Sequence, residues 1–358
     1  MYAVIMAGGK GARFWPRSRN RLPKHLLDIT GGGTLIQETV ERVSPLVPPE
    51  RILVVTAAAH AAEVTRQLPM IPGENILVEP QGRNTAPCIG LAAAFVARRA
   101  GDAVMIVLPS DHVVADGEEF RRVLRVAAAA AEKDDCLVTV GIRPTKPETG
   151  YGYIEEGPPW ARIEGETVYH VSSIREKPSL EEARRLLGLG RFFWNSGMFV
   201  WKASVILGAI ETFLPAIAAG LRQIAAAVGT PAQDEAVAAA YHSFPAISID
   251  YGVMEKARNV RLVKGDFGWS DVGSWDALWE IAPKDERGNA AGRCAGFAAV
   301  DAAGNYVESP GKFVALVGVE DLVVVETPDA LLICRRGRSQ DVRKVVETLE
   351  AQGKDDLL

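Results

Sequence analysis

The residues Met1-Tyr2-Ala3-Val4-Ile5-Met6-Ala7-Gly8-Gly9-Lys10-Gly11-Ala12-Arg13 decide how the first part of the chain folds. The apolar run Val4–Met6 leads directly into a glycine-rich loop. A near-continuous apolar run is typical of a strand that is covered on both faces of a sheet. In an open α/β sheet, ligands collect at the carboxyl ends of such strands, and glycines there let backbone N–H groups approach an anion. The stretch therefore predicts a first strand followed by an anion-binding loop.

Similar apolar runs recur up to Gly150 and alternate with segments of helical pattern. Thr85 precedes an apolar stretch that ends at Ala97, and the alanine-rich segment Phe120–Lys133 has high helix propensity. This alternation predicts an α/β fold with a mixed, mostly parallel sheet flanked by helices. The further strands predicted here are Ile52–Thr56, Ile76–Glu79, Val104–Leu108 and Leu137–Gly141.

After Gly150 the alternation becomes irregular, and from about residue 283 the composition shifts to Gly, Ala and short valine-rich pieces. We therefore predict two domains, residues 1–285 and a small β-rich domain at residues 286–358. The strands predicted in this half are 150–156, 168–175, 192–201, 314–317, 322–325 and 331–334, and the helices are 180–187, several within 204–241, and 341–350.

Composition limits the classes of protein that the chain can represent. Its 358 residues include 40 Lys and Arg and 45 Asp and Glu, which give a formal net charge of −5 and argue against non-specific nucleic-acid binding. The four cysteines form no C-x-x-C pair, so neither a disulfide framework nor a cysteine zinc site is expected. No apolar run approaches the roughly 18 residues of a membrane span, and the N-terminus lacks the basic flank of a signal peptide. We expect a cytoplasmic protein that binds no membrane.

The residues after the glycine loop indicate a phosphate ligand. Phe14 stands where a Rossmann loop needs its third glycine, and no Gly-Lys-Ser/Thr closes a Walker loop, so the glycines alone leave a plain tight turn possible. Fixed cations beside a glycine loop suit a triphosphate, although a merely basic surface loop also remains open. The cations that crowd this segment, together with two prolines, are Arg13, Arg17, Arg19, Arg21 and Lys24.

Ordered motifs over about residues 1–280 resemble those of the sugar-1-phosphate nucleotidylyltransferases, and more closely the mannose-1-phosphate guanylyltransferases. The first motif joins the glycine loop to Trp15-Pro16 and to Pro23-Lys24-His25-Leu26. It departs from the family at Ala12-Arg13-Phe14, where Thr-Arg-Leu is usual, so a hydroxyl is lost but Arg13 is kept. The further motifs are EPQGRNTA at 79–86, LPSDH at 108–112, TGYGYI at 149–154, EKP at 176–178, NSGMF at 195–199, SIDYGVME at 248–255 and WSDVGSW at 269–275.

The resemblance implies a nucleotide site, in which Arg13 and Lys24 hold the phosphates of GTP. The segment from Glu79 resembles the guanine-recognition segment of the mannose enzymes, and a carboxylate suits the N–H edge of guanine. The alternative is a strand end followed by a helix, with Thr85 serving only as the N-cap. The nucleotide-binding residues implied are Gly8, Gly9, Gly11, Arg13, Lys24, Glu79, Pro80, Arg83, Asn84 and Thr85.

The resemblance also implies a sugar-phosphate site. Lys177 would contact the sugar phosphate, while Glu176 and Asn195 would bind sugar hydroxyls, with the backbone of Gly152 close to the ring. An ammonium suits a phosphate, and an acceptor-only carboxylate suits hydroxyl groups. On its own, however, a Glu-Lys pair is usually a solvated ion pair. We expect Phe192, Phe193 and Met198 to be core residues.

The same resemblance implies that Asp111 and Asp271 are the ligands of Mg²⁺. Asp111 follows the strand Val104–Leu108, and Asp271 lies far away in sequence between two tryptophans. Magnesium takes few protein ligands, so two carboxylates from separate segments suffice when phosphate oxygens supply the rest. The alternative is that each Asp only caps a turn.

Together these features predict a nucleotidyltransferase of Rossmann-like (GT-A-like) fold that converts GTP and α-D-mannose 1-phosphate into GDP-mannose and pyrophosphate. Arg13, Lys24 and Lys177 are its predicted catalytic residues. Two alternatives stay open: an enzyme of the same class with another base or sugar, and a non-catalytic nucleotide-sugar sensor. The segment from Pro283 resembles a short left-handed β-helix that pairs subunits, so we expect a homodimer. No histidine lies beyond His242, which argues against a metal-dependent phosphomannose isomerase module in this chain.

Overall fold

The structure, a computed structural model, describes residues 1–9 and 11–358. Lys10, which belongs to the predicted anion-binding loop, lies outside the described residues. The strands that are described are β1 (Tyr2–Ala7), β2 (Ile52–Ala57), β3 (Ile76–Glu79), β4 (Val104–Pro109), β5 (Val113–Val114), β6 (Leu137–Ile142), β7 (Tyr153–Ile163), β8 (Glu166–Arg175), β9 (Phe192–Lys202), β10 (Val260–Gly265), β11 (Trp269–Ser270), β12 (Ala290–Cys294), β13 (Phe297–Val300), β14 (Tyr306–Ser309), β15 (Val314–Val317), β16 (Leu322–Glu326) and β17 (Leu331–Arg335).

The α-helices follow the segments of helical pattern, and each predicted helix is present with its ends shifted by a few residues. The long predicted stretch 204–241 divides into three helices, the second of which begins at Pro215. Proline is favoured in the first turn of a helix because that turn needs no backbone donor. The helices are α1 (Leu35–Val43), α2 (Ala61–Gln67), α3 (Thr85–Ala100), α4 (Gly117–Lys133), α5 (Leu180–Leu189), α6 (Ala203–Phe213), α7 (Pro215–Ala227), α8 (Gln233–Ser243), α9 (Trp275–Ile281) and α10 (Val342–Ala351).

The described chain forms two compact units that are discontinuous in sequence. Unit 1 consists of residues 1–8, 40–110 and 114–269, and unit 2 of residues 9–39, 111–113 and 270–358. The glycine loop and the residues after it therefore belong to the same unit as the C-terminal β-rich segment. A domain boundary between residues 285 and 286 stays a prediction.

Unit 1 contains a nine-stranded mixed sheet in the order β3-β2-β1-β4-β9-β6-β10-β8-β7. Seven of its strands run in one direction, while β8 and β9 run antiparallel to their neighbours. The predicted mixed, mostly parallel sheet flanked by helices is therefore confirmed. The register of β1 against β4 pairs Ile5 with Leu108, so both strands end at the same edge of the sheet. Gly8 follows the end of β1 there.

The core of unit 1 explains the near-continuous apolar runs in the sequence. Strands β2 and β6 are buried along nearly their whole length, and α3 contributes eleven buried residues between its N-terminal and central turns. Small side chains let helices approach: a Cβ on Gly90 of α3 would lie 2.5 Å from Leu221 Cδ1 of α7. Helices on the sheet leave these two strands no polar face, so the period-two alternation of a half-exposed strand is missing from them.

Unit 2 has its own apolar core, in which the C-terminal strands pack with the loop after β1. The ring centroids of Phe14 and Trp275 lie 5.0 Å apart, and those of Trp275 and Tyr306 lie 6.1 Å apart. Val323 and Val325 of β16 complete this fully buried cluster. The short valine-rich strands are too few to build a core alone. They form one together with residues 9–39.

The C-terminal strands form two small sheets. One has the order β12-β14-β16-β17, and the other joins β13 to β15. All pairings except the last, between β16 and β17, are parallel, which is the arrangement of successive β-helix rungs. The predicted β-helix-like segment is confirmed, and its left-handedness stays a prediction. In residues 1–9 and 11–358, no helix has both the length and the apolar character that crossing a membrane requires.

Candidate active site

The glycine loop of unit 2 is shaped by the close approach of Lys24. Gly11 has φ +64°, in the left-handed region that favours glycine. A Cβ at this position would lie 2.5 Å from the Cβ and 2.8 Å from the backbone nitrogen of Lys24, so no other residue fits. Gly9 differs, since nothing lies within 4 Å of the position its Cβ would take. The loop therefore packs against Lys24 at Gly11 and stays open at Gly9.

Lys24 connects the two predicted metal ligands. Its ammonium donates hydrogen bonds to the backbone carbonyl of Asp111 at 2.8 Å and to the backbone carbonyl of Asp271 at 2.5 Å. The same nitrogen lies 3.0 Å from the Asp111 carboxylate oxygen Oδ2. Removal from water opposes ionisation of Asp111, but the nearby charges of Lys24, His112 and His25 outweigh it and lower the pKa of Asp111 to about 2. Asp111 is therefore a carboxylate at neutral pH.

Asp271 is presented by an unusual turn. The next residue, Val272, has φ +44°, which is a true outlier for a β-branched side chain. Val272 is fully buried in the core of unit 2, and its N–H donates to the Ser270 hydroxyl at 3.1 Å. On the far side, a Cβ on Gly273 would lie 2.9 Å from Asp271 Oδ2. Packing of Val272 in the core thus maintains a strained backbone conformation, and this conformation fixes the position of the Asp271 carboxylate.

These residues fit a magnesium ion that is completed by a ligand's phosphates. Asp111 and Asp271 supply hard oxygen donors from two segments that one ammonium holds together. The described residues contain no group of three or more His, Cys, Asp and Glu side chains placed to hold a metal. A site with two carboxylates suits Mg²⁺, which keeps waters and substrate oxygens as ligands, and would not suit zinc.

The arginines of the basic loop have different partners from those expected of a triphosphate site. Arg17 forms a salt bridge with Glu308 and donates to the carbonyl of Asp28 at 2.8 Å. Arg19 binds the Asp329 carboxylate at 2.8 Å. Carboxylates of the C-terminal segment therefore neutralise Arg17 and Arg19, neither of which was among the predicted nucleotide-binding residues. Arg13 is exposed, and its guanidinium donates to Gln340 Oε1 at 3.0 Å.

The last residues of the chain are tied to the same loop. The indole N–H of Trp15 donates to the carbonyl of Leu357 at 2.9 Å, and the backbone N–H of Asn20 donates to the carbonyl of Leu358 at 3.1 Å. The indole of Trp275 in turn donates to the carbonyl of Trp15 at 3.1 Å. The C-terminal segment therefore supports the loop that carries Arg13 and leads to Lys24.

Unit 1 brings Gly8 and Glu79 together, as the guanine hypothesis requires. A Cβ on Gly8 would lie 3.4 Å from Glu79 Oε2. The other carboxylate oxygen, Oε1, accepts a hydrogen bond from the hydroxyl of Tyr241 at 3.0 Å. Glu79 is buried, and this burial raises its pKa to about 7, although the Tyr241 hydrogen bond acts in the opposite direction. Sequence reasoning missed Tyr241, which lies 162 positions away on α8.

The residues after Glu79 form a rigid support. Arg83 donates to the backbone carbonyls of Tyr241 and His242, each at 3.2 Å. Asn84 has φ +68°, and its side chain caps α3 by accepting from the N–H of Thr85 at 2.8 Å. The N-cap is thus Asn84, and the alternative in which Thr85 is the cap is wrong. The Thr85 hydroxyl instead accepts from the backbone N–H of Ile249 at 2.8 Å. Pro80 lies beside them and lines an apolar cavity of about 810 Å³.

The four predicted sugar-site residues lie together in unit 1. A Cβ on Gly152 would lie 2.4 Å from Glu176 Oε2 and 3.2 Å from the Asn195 Cβ, so only glycine leaves room for both side chains. Lys177 has φ +48°, and its ammonium lies 3.5 Å from Glu176 Oε1. Burial, with repulsion from Asp250, raises the pKa of Glu176. Phe192, Phe193 and Met198 are buried, so their prediction as core residues is confirmed.

Asp250 is the residue of this site that sequence reasoning missed. It belongs to the quoted motif SIDYGVME, but no role was inferred for it. Its Oδ1 accepts a hydrogen bond from the Asn195 side-chain amide at 2.7 Å. Burial raises the pKa of Asp250, and the hydrogen bond from Asn195 opposes this. A buried acidic residue inside a motif was the available signal, but its partner lies 55 positions away.

Known proteins resemble this chain over nearly its whole length. The pattern of the Nucleotidyl transferase family matches residues 2–288, and that of the MannoseP isomerase/GMP-like beta-helix domain matches residues 297–349. Mannose-1-phosphate guanylyltransferase of Klebsiella pneumoniae is 42% identical over 97% of this chain and 73% of its own length. The enzyme of that name from Escherichia coli K12 is 41% identical over 99% of this chain and 75% of its own length. A solved structure from Thermus thermophilus, described as mannose-1-phosphate geranyltransferase, is 38% identical with a TM-score of 0.88 and covers 98% of this chain and 99% of its own.

Proposed function

Because the chain belongs to the mannose-1-phosphate guanylyltransferases within the nucleotidyl transferase family, we propose that it transfers GMP from GTP to α-D-mannose 1-phosphate. The products are GDP-mannose and pyrophosphate. The observation that carries the proposal is the Lys24 ammonium, which holds Asp111 and Asp271 together beside an open glycine loop. This arrangement supplies fixed charge for phosphoryl-type chemistry, and these residues include no activated nucleophile for a covalent intermediate.

Transfer requires positioning and charge neutralisation more than proton transfer. The sugar phosphate is already an anion at neutral pH, so its oxygen attacks the α-phosphorus without a general base. Arg13 and the glycine loop bind the triphosphate, Lys24 fixes the acidic pair and neutralises charge, and Lys177 orients the attacking phosphate. Nucleotidyltransferases generally use a divalent metal. Bound by Asp111 and Asp271, Mg²⁺ would supply electrostatic stabilisation of the phosphate oxygens.

The base is read by a buried carboxylate. Guanine presents two N–H donors on one edge, and the Glu79 carboxylate beside Gly8 can accept from them. Adenine lacks these two N–H donors. Binding of ATP would remove water from the Glu79 carboxylate without giving it a hydrogen-bond donor, and this cost disfavours ATP. Tyr241 holds one carboxylate oxygen in place, which leaves the other on the side of Gly8.

The sugar is read by acceptors and one amide. Glu176 and Asn195 both pack against the backbone of Gly152, where the missing side chain leaves room for these two polar groups. Carboxylate oxygens accept from hydroxyl groups, and the Lys177 ammonium suits the phosphate on C1. The exposed position of Lys177, about 61% of its side-chain surface, leaves it free to engage that phosphate.

One panel tests the assignment: pyrophosphate release measured with four nucleoside triphosphates against several sugar 1-phosphates. We expect GTP with mannose 1-phosphate to be used best, and GTP to be preferred over ATP by at least about tenfold, or about 1.4 kcal/mol. Equal turnover with UTP or dTTP would overturn the guanylyl assignment and leave the reaction class standing. Binding of GDP-mannose with no turnover of any pair would overturn the reaction class.

We also propose that the protein is a homodimer that assembles through its C-terminal strands. In β17, Leu332 is buried while Leu331 and Ile333 are 59% and 60% exposed. Phe313, just before β15, and Val317, at its end, are 65% and 67% exposed. Exposed large apolar side chains are typical of protein–protein contact surfaces. The four free cysteines support placement in the reducing cytoplasm.

A further inference from the structure

Asn195, the proposed amide of the sugar site, is held from both ends. Its Nδ2 donates to Asp250 Oδ1 at 2.7 Å. Its Oδ1 lies 3.3 Å from the Thr139 hydroxyl and 3.3 Å from the backbone N–H of Gly197, both of which donate to it. The amide plane is therefore fixed by one acceptor on the nitrogen side and two donors on the oxygen side.

We propose that Asp250 is a positioning residue of the transfer reaction, which sets the direction of the Asn195 amide and thereby the selectivity for the sugar. This inference rests on the proposed function and deepens it. An ionised carboxylate can only accept hydrogen bonds, so Asp250 forces the NH₂ end of the amide toward itself. The second N–H of Asn195 finds no acceptor among the described residues and is directed to a sugar hydroxyl oxygen.

The location of the amide supports this role. The Asn195 side chain lies over Gly152, since a Cβ there would be 3.2 Å from the Asn195 Cβ and 3.5 Å from its Nδ2. Glu176 Oε2 approaches the same point, 2.4 Å from the position of that Cβ. A donor from Asn195 and acceptors from Glu176 therefore lie close together at one glycine, which suits a molecule that carries several hydroxyl groups.

Asp250 is itself fixed by the segment that supports the nucleotide site. It begins the single turn Asp250–Met254, which has the wide π-type hydrogen bonding that often marks functional sites. The preceding residue, Ile249, is buried, and its N–H donates to the Thr85 hydroxyl at the start of α3. Thr85 at the start of α3 thus fixes Ile249, and the next residue, Asp250, accepts the hydrogen bond from the Asn195 amide.

The test is a double-mutant cycle on the full chain. Asp250→Asn offers a weaker acceptor that can also donate, so the Asn195 amide can turn over. We expect the KM for mannose 1-phosphate to rise about tenfold, the KM for GTP to stay within about twofold, and the preference for mannose 1-phosphate over glucose 1-phosphate to fall. In an Asn195→Ala background the same substitution should change the KM for mannose 1-phosphate by less than about twofold.

Glu235→Gln is the matched control, because Glu235 is an exposed carboxylate of α8 in the same unit. It should leave both KM values unchanged. Thermal unfolding is measured for each variant. If Asp250→Asn does not fold, Asp250→Ser replaces it in the double-mutant cycle. An equal KM increase with and without Asn195 would overturn the positioning role, and so would an increase confined to GTP. Formation of GDP-mannose by the wild-type enzyme is measured first. If none forms, the proposed function fails, and this failure is distinct from a failure of the positioning role.

Discussion

Lys24 Nζ lies 3.0 Å from Asp111 Oδ2, although the two residues are 87 positions apart in the chain. The lysine is buried, and the same nitrogen reaches the backbone of Asp271. A buried ammonium that satisfies three oxygens at once does more than attract a phosphate from a distance. It fixes the spacing of the two carboxylate segments before any substrate arrives, which is the preorganisation that electrostatic catalysis needs.

Replacing this ammonium tests that role. In Lys24→Met the stem keeps its size, but the charge and the three hydrogen bonds are lost. We expect turnover to fall by about 10²–10³, as is typical when one preorganised electrostatic contact is removed. The pKa of Asp111 should rise, because attraction by Lys24 is the largest of the effects that lower it. Steady-state kinetics and titration of Asp111 by NMR measure both effects, and a variant with normal kcat would refute the account.

The metal proposal is tested at Asp271. Asp271→Asn keeps the size of the side chain and removes its charge, so we expect turnover to fall by about 10²–10³ and the Mg²⁺ concentration for half-maximal rate to rise. Binding of Mg²⁺ with GTP, followed by calorimetry, should weaken in parallel. Asp266→Asn, at an exposed carboxylate of the preceding loop, is the control. If Asp271→Asn keeps normal turnover and Mg²⁺ dependence, the metal is bound elsewhere.

We expect the KM for GTP to depend on pH because the pKa of Glu79 is raised to about 7. Its pKa of about 7 means that it is largely protonated at pH 6 and ionised at pH 8. Only the carboxylate accepts from both N–H donors of guanine, so the KM for GTP should fall as pH rises through this range. In Glu79→Gln the pH dependence should disappear, and the KM for GTP should exceed that of the wild type at pH 8. A wild-type KM that is flat between pH 6 and 8 contradicts this role.

Glu79→Gln should weaken GTP binding but increase the free energy of unfolding at high pH. Because the folded pKa of Glu79 lies above the unfolded value of 4.5, the folded state binds more protons in this window, and stability falls as pH rises from about 4.5 to about 7. Well above pH 7 the cost reaches about 3–4 kcal/mol. Glu79→Gln removes it, so its free energy of unfolding should exceed that of the wild type at pH 8 and not at pH 4.

The dimer proposal is tested by placing charges on β17. We expect Leu331→Lys combined with Ile333→Lys to convert dimer to monomer in sedimentation velocity, while turnover per chain stays within about twofold, because both side chains point away from the buried core. Leu189→Lys, at a 43% exposed leucine of α5, is the control. A double variant that still sediments as a dimer would exclude this face as the contact.

Removal of residues 286–358 should do more than separate subunits. Tyr306, Val323 and Val325 belong to the core that covers Phe14 and Trp15, so the truncated chain loses the support of the loop that carries Arg13. We expect turnover to be lost and the loop to become sensitive to protease. Limited proteolysis with mass spectrometry locates the cleavage. A truncated protein with normal activity would show that the loop does not depend on these strands.

The sequence predicts local features of this fold well. Apolar runs located β1 to β4 and β6, since a covered parallel strand has a continuous apolar pattern that needs no partner to be recognised. The resemblance to the guanylyltransferases is confirmed by the relatives. Long-range ion pairs were not predictable from spacing: Arg17 meets Glu308 across 291 positions, and the charge of a lone arginine does not reveal whether a phosphate or a carboxylate satisfies it.

The parts of the site that were missed depend on backbone conformation or on burial. Val272 adopts a left-handed conformation that no propensity would assign to valine, and only its packing in the core explains it. The hydrogen bond between Asn195 and Asp250 joins β9 to the separate turn Asp250–Met254, and spacing along the chain does not show that the two meet. Asn84 took the capping role that Thr85 also fitted, because either side chain can cap a helix and only the backbone angle distinguishes them.

The measurement that tests the central claim most directly uses mannose 1-phosphate in which the phosphate oxygens carry ¹⁸O. The protein is incubated with GTP and Mg²⁺, and both products are analysed by mass spectrometry. Attack of the sugar phosphate at the α-phosphorus of the GMP unit predicts GDP-mannose that keeps all of the label, together with an equal amount of unlabelled pyrophosphate. Label in the pyrophosphate, or consumption of GTP without GDP-mannose, would contradict the account.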